Sequence, residues 1–131
     1  MPVGVLLSGG LDSSSVAASL ALQSSETVSS FTVGFAESEY DESPLARDVA
    51  ERWHLDFHQQ RLSPEKLLLM LREASWYNDE PLVHGNDAHL LFISQYSKPR
   101  VTVLLSGEGA DETLGGYVPY RPLHYAQYLG I

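Results

Sequence analysis

Residues 3–14 read Val3-Gly4-Val5-Leu6-Leu7-Ser8-Gly9-Gly10-Leu11-Asp12-Ser13-Ser14. This stretch decides the fold, because a short and continuously apolar run ends in two glycines and then passes into a segment with helical character to about Gln23. Such a run followed by glycines is typical of a buried parallel strand. The stretch therefore predicts a strand, a tight turn and a helix, which together form the first unit of an α/β fold.

The predicted turn has the chemistry of an anion site. Two adjacent glycines, Gly9 and Gly10, allow backbone N–H groups to converge on one anion. The helix that follows directs its positive dipole end at the same point, and the hydroxyls of Ser8 and Ser13 add donors. Asp12 alone repels phosphate, so its presence favours a Mg²⁺ ion shared by carboxylates and substrate phosphates. The simpler alternative is a helix N-terminus at which Asp12 or Ser13 is only a cap.

Composition limits the classes of function. The chain has 131 residues, 44% of them hydrophobic and 19% charged, as expected for one soluble globular domain. It has no cysteine, which excludes a thiol nucleophile and makes the cytoplasm the predicted location. The net charge of −9 argues against a nucleic-acid partner or an anionic membrane surface. A polyphosphate site in such a chain needs Mg²⁺, helix dipoles or basic residues from elsewhere.

The rest of the chain alternates between strand and helix patterns. Strands are predicted at residues 28–35, 55–62 and 101–105, and helices at residues 44–54, 63–76 and 87–96. The alternation predicts a parallel twisted sheet with helices on both faces. Ligands of such sheets bind at the carboxyl ends of the strands. Trp53 and Trp76 are expected in the core.

A second glycine-rich turn follows the last predicted strand and reads Ser106-Gly107-Glu108-Gly109-Ala110-Asp111-Glu112-Thr113-Leu114-Gly115-Gly116-Tyr117. It belongs to the same edge of the sheet as the first turn. A helix that starts near Gly109 turns Glu108 and Asp111 toward one pocket. Asp111 placed across from Asp12 completes a Mg²⁺ site, and Glu108 is then a general base or an orienting group. The alternative is that these acids only complement a helix N-terminus.

The two turns together resemble the signatures of the glutamine-hydrolysing asparagine synthetase family. The first resembles its SGGxDS pyrophosphate-binding loop, the second its SGEGxDE…GGY motif, and Phe31-Thr32-Val33-Gly34-Phe35 is similar to its second strand. The resemblance implies a PP-loop domain with a Rossmann-like, adenine nucleotide alpha hydrolase-like fold. It also implies a reaction in which ATP activates the side chain of aspartate as β-aspartyl-AMP and ammonia then displaces AMP.

The resemblance also implies roles for particular residues. The backbones of Leu6 and Val33 hold adenine, and Ser106 and Gly107 lie near the ribose or the α-phosphate. Glu108 and Asp111 are the catalytic carboxylates, with Glu108 serving adenylate formation and ammonia attack. Asp12 and Asp111 are the Mg²⁺ ligands. The residues expected around the pyrophosphate portion are Ser8, Gly9, Gly10, Asp12 and Ser13.

Residues 1–131 are accordingly expected to be the N-terminal, nucleotide-binding part of a truncated synthetase domain. The family's glutaminase domain, which supplies ammonia from glutamine, and its C-terminal helices with a catalytic lysine are not in the sequence. Residues 81–87 also depart from the family's substrate segment, and His84 and Asn86 there are candidate substrate contacts. The acceptor therefore stays open between aspartate and another carboxylate. A non-catalytic ATP-binding module and a homodimer are further alternatives.

Overall fold

The computed structural model describes residues 1–35, 39, 41–81, 85–120 and 122. The strands of this part of the chain are β1 (Val3–Leu6), β2 (Ser29–Gly34), β3 (Asp56–Arg61) and β4 (Val103–Leu105). Its helices are α1 (Leu11–Gln23), α2 (Ser43–Arg52), α3 (Pro64–Asn78), α4 (Asn86–Ser97) and α5 (Ala110–Leu114). The predicted alternation of strands and helices is confirmed. Among these residues no helix combines the length and the apolar character that crossing a membrane requires.

The four strands form one parallel sheet in the order β3-β2-β1-β4. The chain moves outward from β1 to β2 and β3, and then returns to the other side of β1 to place β4. The neighbours β1 and β4 therefore mark a topological switch point. In open α/β sheets the crevice that receives a ligand lies there, outside the carboxyl ends of the strands.

Helices cover both faces of this sheet, as predicted. On one face, Val5 and Leu7 pack with Ala17 of α1 and with Ala46 and Ala50 of α2. On the other face, two adjoining clusters join the sheet to α4 and α3. Their buried members are Phe31, Leu62, Met70, Ala88, Phe92, Ile93 and Val101. Because side chains alternate along a strand, the apolar run of β1 contributes to both core layers. Val5 and Leu7 pack on one face of the sheet, and Leu6 packs on the other.

One prediction about the core is wrong. Helix α3 begins as expected, with Ser63 capping it by accepting a hydrogen bond from a backbone N–H of the first turn, but Trp76 in its last turn is 81% exposed. The apolar residues of α3 do not share one face. Met70 and Ala74 form the buried stripe, and Trp76 lies outside it. Trp53, the other tryptophan, is half-buried.

Candidate active site

A cleft of about 340 Å³ opens at the carboxyl ends of β1 and β4, and we call it the switch-point cleft. Its polar wall comes from the two glycine-rich turns: Ser8, Asp12, Ser13, Ser106, Gly107, Glu108, Gly109, Asp111 and Glu112. Its apolar wall comes from β1, β2 and α4: Leu6, Phe31, Val33, Leu90 and Ile93. A cleft with one polar and one apolar wall suits a ligand that carries both an anionic and an aromatic part.

The first turn is held in shape by its own hydroxyl groups. The Ser8 and Ser13 Oγ atoms are 2.9 Å apart, and the Ser8 backbone N–H donates to Ser13 Oγ at 3.2 Å. The Gly10 backbone N–H donates to Ser8 Oγ at 3.3 Å. These bonds close the loop over the start of α1, whose first N–H groups have no partner within the helix. Free N–H groups at the start of a helix are of the kind that bind anions.

Gly9 fits the turn against α2. Its φ of +85° lies in the left-handed region, which glycine adopts without strain. A Cβ atom at this position would lie 2.6 Å from the Cβ of Leu45 and 2.8 Å from the backbone N of Ala46. The turn therefore rests directly on the first turn of α2, and a larger residue would lift it away.

The second turn lies against the first. A Cβ atom on Gly107 would be 2.8 Å from the backbone N of Ser13 and 3.1 Å from Cβ of Asp12. These distances are too short for any side chain, so glycine is needed for the two turns to touch. Their contact brings Asp12, Glu108 and Asp111 to one cleft, although Asp12 lies almost a hundred positions before the other two.

The end of the second motif supports α5. The Tyr117 hydroxyl donates to Glu112 Oε1 at 2.7 Å. This bond lowers the pKa of the Glu112 carboxyl and raises the pKa of Tyr117 to about 12. Gly116 lies so close to the Asp111 carboxylate that no Cβ fits between them. Two residues in the last part of the motif are thus explained: Gly116 leaves room for Asp111, and Tyr117 holds Glu112.

A buried hydrogen bond fixes the strand that leads into the first turn. The Thr32 Oγ1 donates to the Leu7 carbonyl at 2.6 Å, and Thr32 is only 4% exposed. The Leu7 N–H in turn donates to the Phe31 carbonyl at 2.9 Å. Together these bonds tie the residue before Ser8 to β2 beyond the end of the strand ladder. No sequence pattern indicates this role for Thr32.

The structure brings most of the predicted site residues together. Those that line the cleft are Leu6, Ser8, Asp12, Ser13, Val33, Ser106, Gly107, Glu108 and Asp111. Gly9 and Gly10 shape the first turn without lining the cleft. Asn86 begins α4 and is not among the lining residues, and His84 lies outside the described residues.

Sequence reasoning missed several lining residues. Phe31 and Thr32 could have been assigned from the sequence, because they directly precede Val33, a predicted site residue, in the same predicted strand. His89, Leu90 and Ile93 reach the cleft only because α4 packs on β2, and no local pattern indicates that packing. They could not be assigned before the fold was known.

The cleft is strongly acidic, with the carboxylates of Asp12, Glu108, Asp111 and Glu112 in its lining. Among its described lining residues there is no lysine or arginine, so a polyphosphate needs a cation to offset the repulsion. The described residues contain no group of three or more acidic or histidine side chains able to hold a metal by themselves. The carboxylates of Asp12 and Asp111 both line the cleft, and they are the residues that would hold a Mg²⁺ ion whose other ligands are phosphates and water.

The fold and the cleft define an α/β domain of the PP-loop class, with glycine turns at the switch point of a parallel sheet. The family model described as "Asparagine synthase" matches residues 1–130. The chain belongs to this asparagine synthase family.

Curated relatives agree with this family membership. "Asparagine synthetase [glutamine-hydrolyzing] 1" of Bacillus subtilis is 38% identical over 121 residues, which cover 92% of this chain and 19% of that protein. "Putative asparagine synthetase [glutamine-hydrolyzing] 2" of Methanocaldococcus jannaschii is 33% identical, covering 92% of this chain and 23% of that protein. "Amidase chry2" of Gibberella zeae is 35% identical, with coverages of 92% and 20%. The chain thus spans about a fifth of the length of these relatives.

Proposed function

We propose that this chain is the ATP-binding part of an enzyme that makes amides from carboxylates, with aspartate as the acceptor and asparagine as the product. The contact between the two turns, with Gly107 against Ser13, carries the proposal. In this contact the first glycine-rich turn and the carboxylates of Asp12, Glu108 and Asp111 meet at a single cleft, which supports an ATP site there. Residues 1–131 are then the N-terminal, nucleotide-binding part of the synthetase domain, and a glutaminase domain outside this sequence supplies the ammonia.

The apolar wall suits the base of ATP, and the polar wall suits its phosphates. The base lies against Leu6 and Val33, and the pyrophosphate portion lies in the turn formed by Ser8, Gly9, Gly10, Asp12 and Ser13. Ser106 and Gly107 then lie beside the ribose or the α-phosphate. Asp12 and Asp111 hold Mg²⁺, which when bound offsets the charge of the phosphates.

The chemistry requires two displacements. A carboxylate oxygen of the acceptor attacks the α-phosphorus, the α–β bridging P–O bond breaks, and pyrophosphate leaves. Ammonia then attacks the acyl carbon and AMP leaves with the bonding pair. Glu108, which is exposed in the polar wall, takes a proton from the attacking nitrogen. Most of the catalytic effect in such steps comes from positioning and charge stabilisation.

One further candidate has specific support. A relative named as an amidase is 35% identical to this chain, against 38% for one named as a synthetase, so the similarity alone does not single out aspartate as the acceptor. A related amidotransferase acting on another carboxylate is the second candidate. Cytoplasmic location and a homodimer stay predictions.

The decisive experiment is amino-acid-dependent exchange between ATP and labelled pyrophosphate, run on the longest reading frame that carries this sequence. Aspartate is compared with glutamate and a panel of other carboxylates. Asp12→Asn removes a proposed Mg²⁺ ligand, and Asp48→Asn, an exposed acid on α2, is the matched control. We expect aspartate-dependent exchange that Asp12→Asn abolishes and Asp48→Asn leaves intact. Exchange with a different carboxylate moves the protein to the second candidate, and binding of ATP without any exchange contradicts both.

A further inference from the structure

The exposed face of α3 carries four large apolar side chains. These are Leu68, Leu69, Trp76 and Tyr77, which are between 56% and 81% exposed. Leu69, Trp76 and Tyr77 border a groove of about 810 Å³ that reaches Gln95 of α4. Large apolar side chains clustered in this way on a soluble domain are typical of an interaction surface.

Two opposite charges lie at the centre of the same face. Arg72 and Glu73 are adjacent in the sequence, and both are exposed and border the groove. The Gln95 side-chain amide donates to Glu73 Oε2 at 3.1 Å, which positions the carboxylate but, being a neutral contact, does not offset its charge. The face therefore offers one positive and one negative group to whatever covers it.

The order of side chains along this face is symmetric about the point between Arg72 and Glu73. Leu69 and Trp76 lie at equal distances on either side of that point, and so do Leu68 and Tyr77, which flank them. A spacing of four residues keeps Leu68, Arg72 and Trp76 in one row of the helix surface, and places the other three residues in the row beside it. Such a surface complements a copy of itself turned by a two-fold axis.

We propose that the exposed face of α3 binds the same face of a second copy of this chain, with the two helices antiparallel. Arg72 then lies opposite Glu73 of the second copy, and the two-fold axis repeats this charge pair. Leu69 packs on Trp76 of the second copy. A parallel arrangement would instead set each charge beside its own kind, so the charges select the antiparallel one.

This surface is separate from the proposed nucleotide site. Among the residues that the structure describes, none from α3 lines the switch-point cleft, so the inference does not rest on the proposed function. The contact is limited to one helix face and is small beside the interfaces of permanent dimers. We therefore expect a reversible dimer whose dissociation constant is of micromolar order.

The test measures dimer formation by sedimentation equilibrium on the longest reading frame that carries this sequence. The charge-reversed variants are Arg72→Glu and Glu73→Arg. Arg52→Glu and Glu51→Arg are the matched controls, because these two residues are an adjacent, exposed pair of opposite charges on α2. Each α3 variant sets like charges opposite each other at both repeats of the contact. We expect it to raise the dissociation constant roughly tenfold, while the controls leave it unchanged.

An equimolar mixture of Arg72→Glu and Glu73→Arg is the sharpest part of the test. One variant carries two acids at these positions and the other carries two bases, so an antiparallel mixed pair sets opposite charges together at both repeats. We expect the mixture to dimerise about as well as the wild type. General damage to α3 would not produce this rescue.

Trp76→Ser tests the apolar part of the surface. The indole is 81% exposed, so we expect the variant to lose the dimer while its unfolding midpoint in urea, measured at high dilution, stays that of the wild type.

Three results would overturn the inference. The first is a wild type that stays monomeric up to about millimolar concentration, as expected if another segment of a longer protein covers this face. The second is a dimer that none of the α3 variants weakens. The third is a mixture that dimerises no better than the single variants. None of the three bears on the ATP site, which the pyrophosphate exchange tests.

Discussion

Gly107 lies so close to Ser13 that a single added carbon would come within 2.8 Å of the Ser13 backbone nitrogen. This contact joins the turn after β4 to the turn after β1, across the switch point of the sheet. The two turns are far apart in the sequence. They come together in the fold because β1 and β4, the strands that precede them, pair in parallel. The two turns touch because the second has no side chain where it meets Asp12 and Ser13 of the first.

Replacing Gly107 with alanine tests this contact. The added methyl group pushes the second turn away from backbone atoms that cannot rotate aside, so we expect a loss of about 1–3 kcal/mol in the free energy of unfolding. ATP binding is expected to weaken by roughly tenfold, which corresponds to about 1.4 kcal/mol of lost interaction when the second turn no longer rests on the first. Urea unfolding and calorimetric titration measure the two effects.

Gly85→Ala is the matched control for this substitution. Among the described residues, no atom lies within 4 Å of a Cβ built at Gly85, and its φ of −63° suits any residue. The control is expected to bind ATP as the wild type does. Equal behaviour of the two variants would show that the turns do not touch as described.

Thr32 offers a second test, this time of the strand that leads into the first turn. Thr32→Val keeps the shape of the side chain and removes the hydroxyl that donates to the Leu7 carbonyl. Leaving a buried carbonyl without this partner is expected to cost roughly 1–3 kcal/mol of unfolding free energy. Thr32→Ser keeps the hydroxyl, so its free energy of unfolding is expected to lie nearer to that of the wild type than that of Thr32→Val does. If the serine variant is the less stable of the two, packing of the methyl group outweighs the hydrogen bond.

The half-buried imidazole of His89 predicts a dependence of stability on pH. Burial lowers its pKa below the usual 6.5, so below pH 6.5 the unfolded chain binds more protons at this position than the folded chain does. The free energy of unfolding is therefore unaffected by this group above pH 6.5, and it decreases as the pH falls toward the lowered pKa. Urea unfolding between pH 7.5 and 5.5 is expected to show a larger decline for the wild type than for His89→Phe. Parallel declines would show that His89 does not contribute.

Binding of ATP is expected to require a divalent cation. Four carboxylates line the cleft without a described lysine or arginine to balance them, so the phosphates are repelled until Mg²⁺ is present. Chelation with EDTA is expected to abolish binding, and Asp12→Asn to raise the Mg²⁺ concentration that binding needs. The exposed Asp48→Asn variant serves again as control. Tight ATP binding in EDTA would contradict the assignment of Asp12 and Asp111.

Much of this site could be predicted from the sequence, because its main parts are local. A run such as Val5 to Leu7 followed by two glycines fixes both a strand and the turn after it, and parallel strands put such turns at one edge. Ser8, Asp12, Glu108 and Asp111 were assigned to one cleft on that basis. The position of Trp76 was mistaken, because α3 carries more apolar residues than its buried stripe uses. His89 was not recognised, because its place depends on how α4 packs against β2.

The most direct test of the central claim is an NMR titration of the ¹⁵N-labelled chain with ATP and Mg²⁺. If ATP binds in the switch-point cleft, the backbone amide signals of Gly9, Gly10 and Ser13 in the first turn and of Gly107 and Gly109 in the second are expected to shift together and to saturate at one ATP concentration. The backbone amide signals of residues on the exposed face of α3, including Trp76, are expected not to shift. Shifts confined to other parts of the chain, or shifts in one turn without the other, would contradict a single site built from both turns.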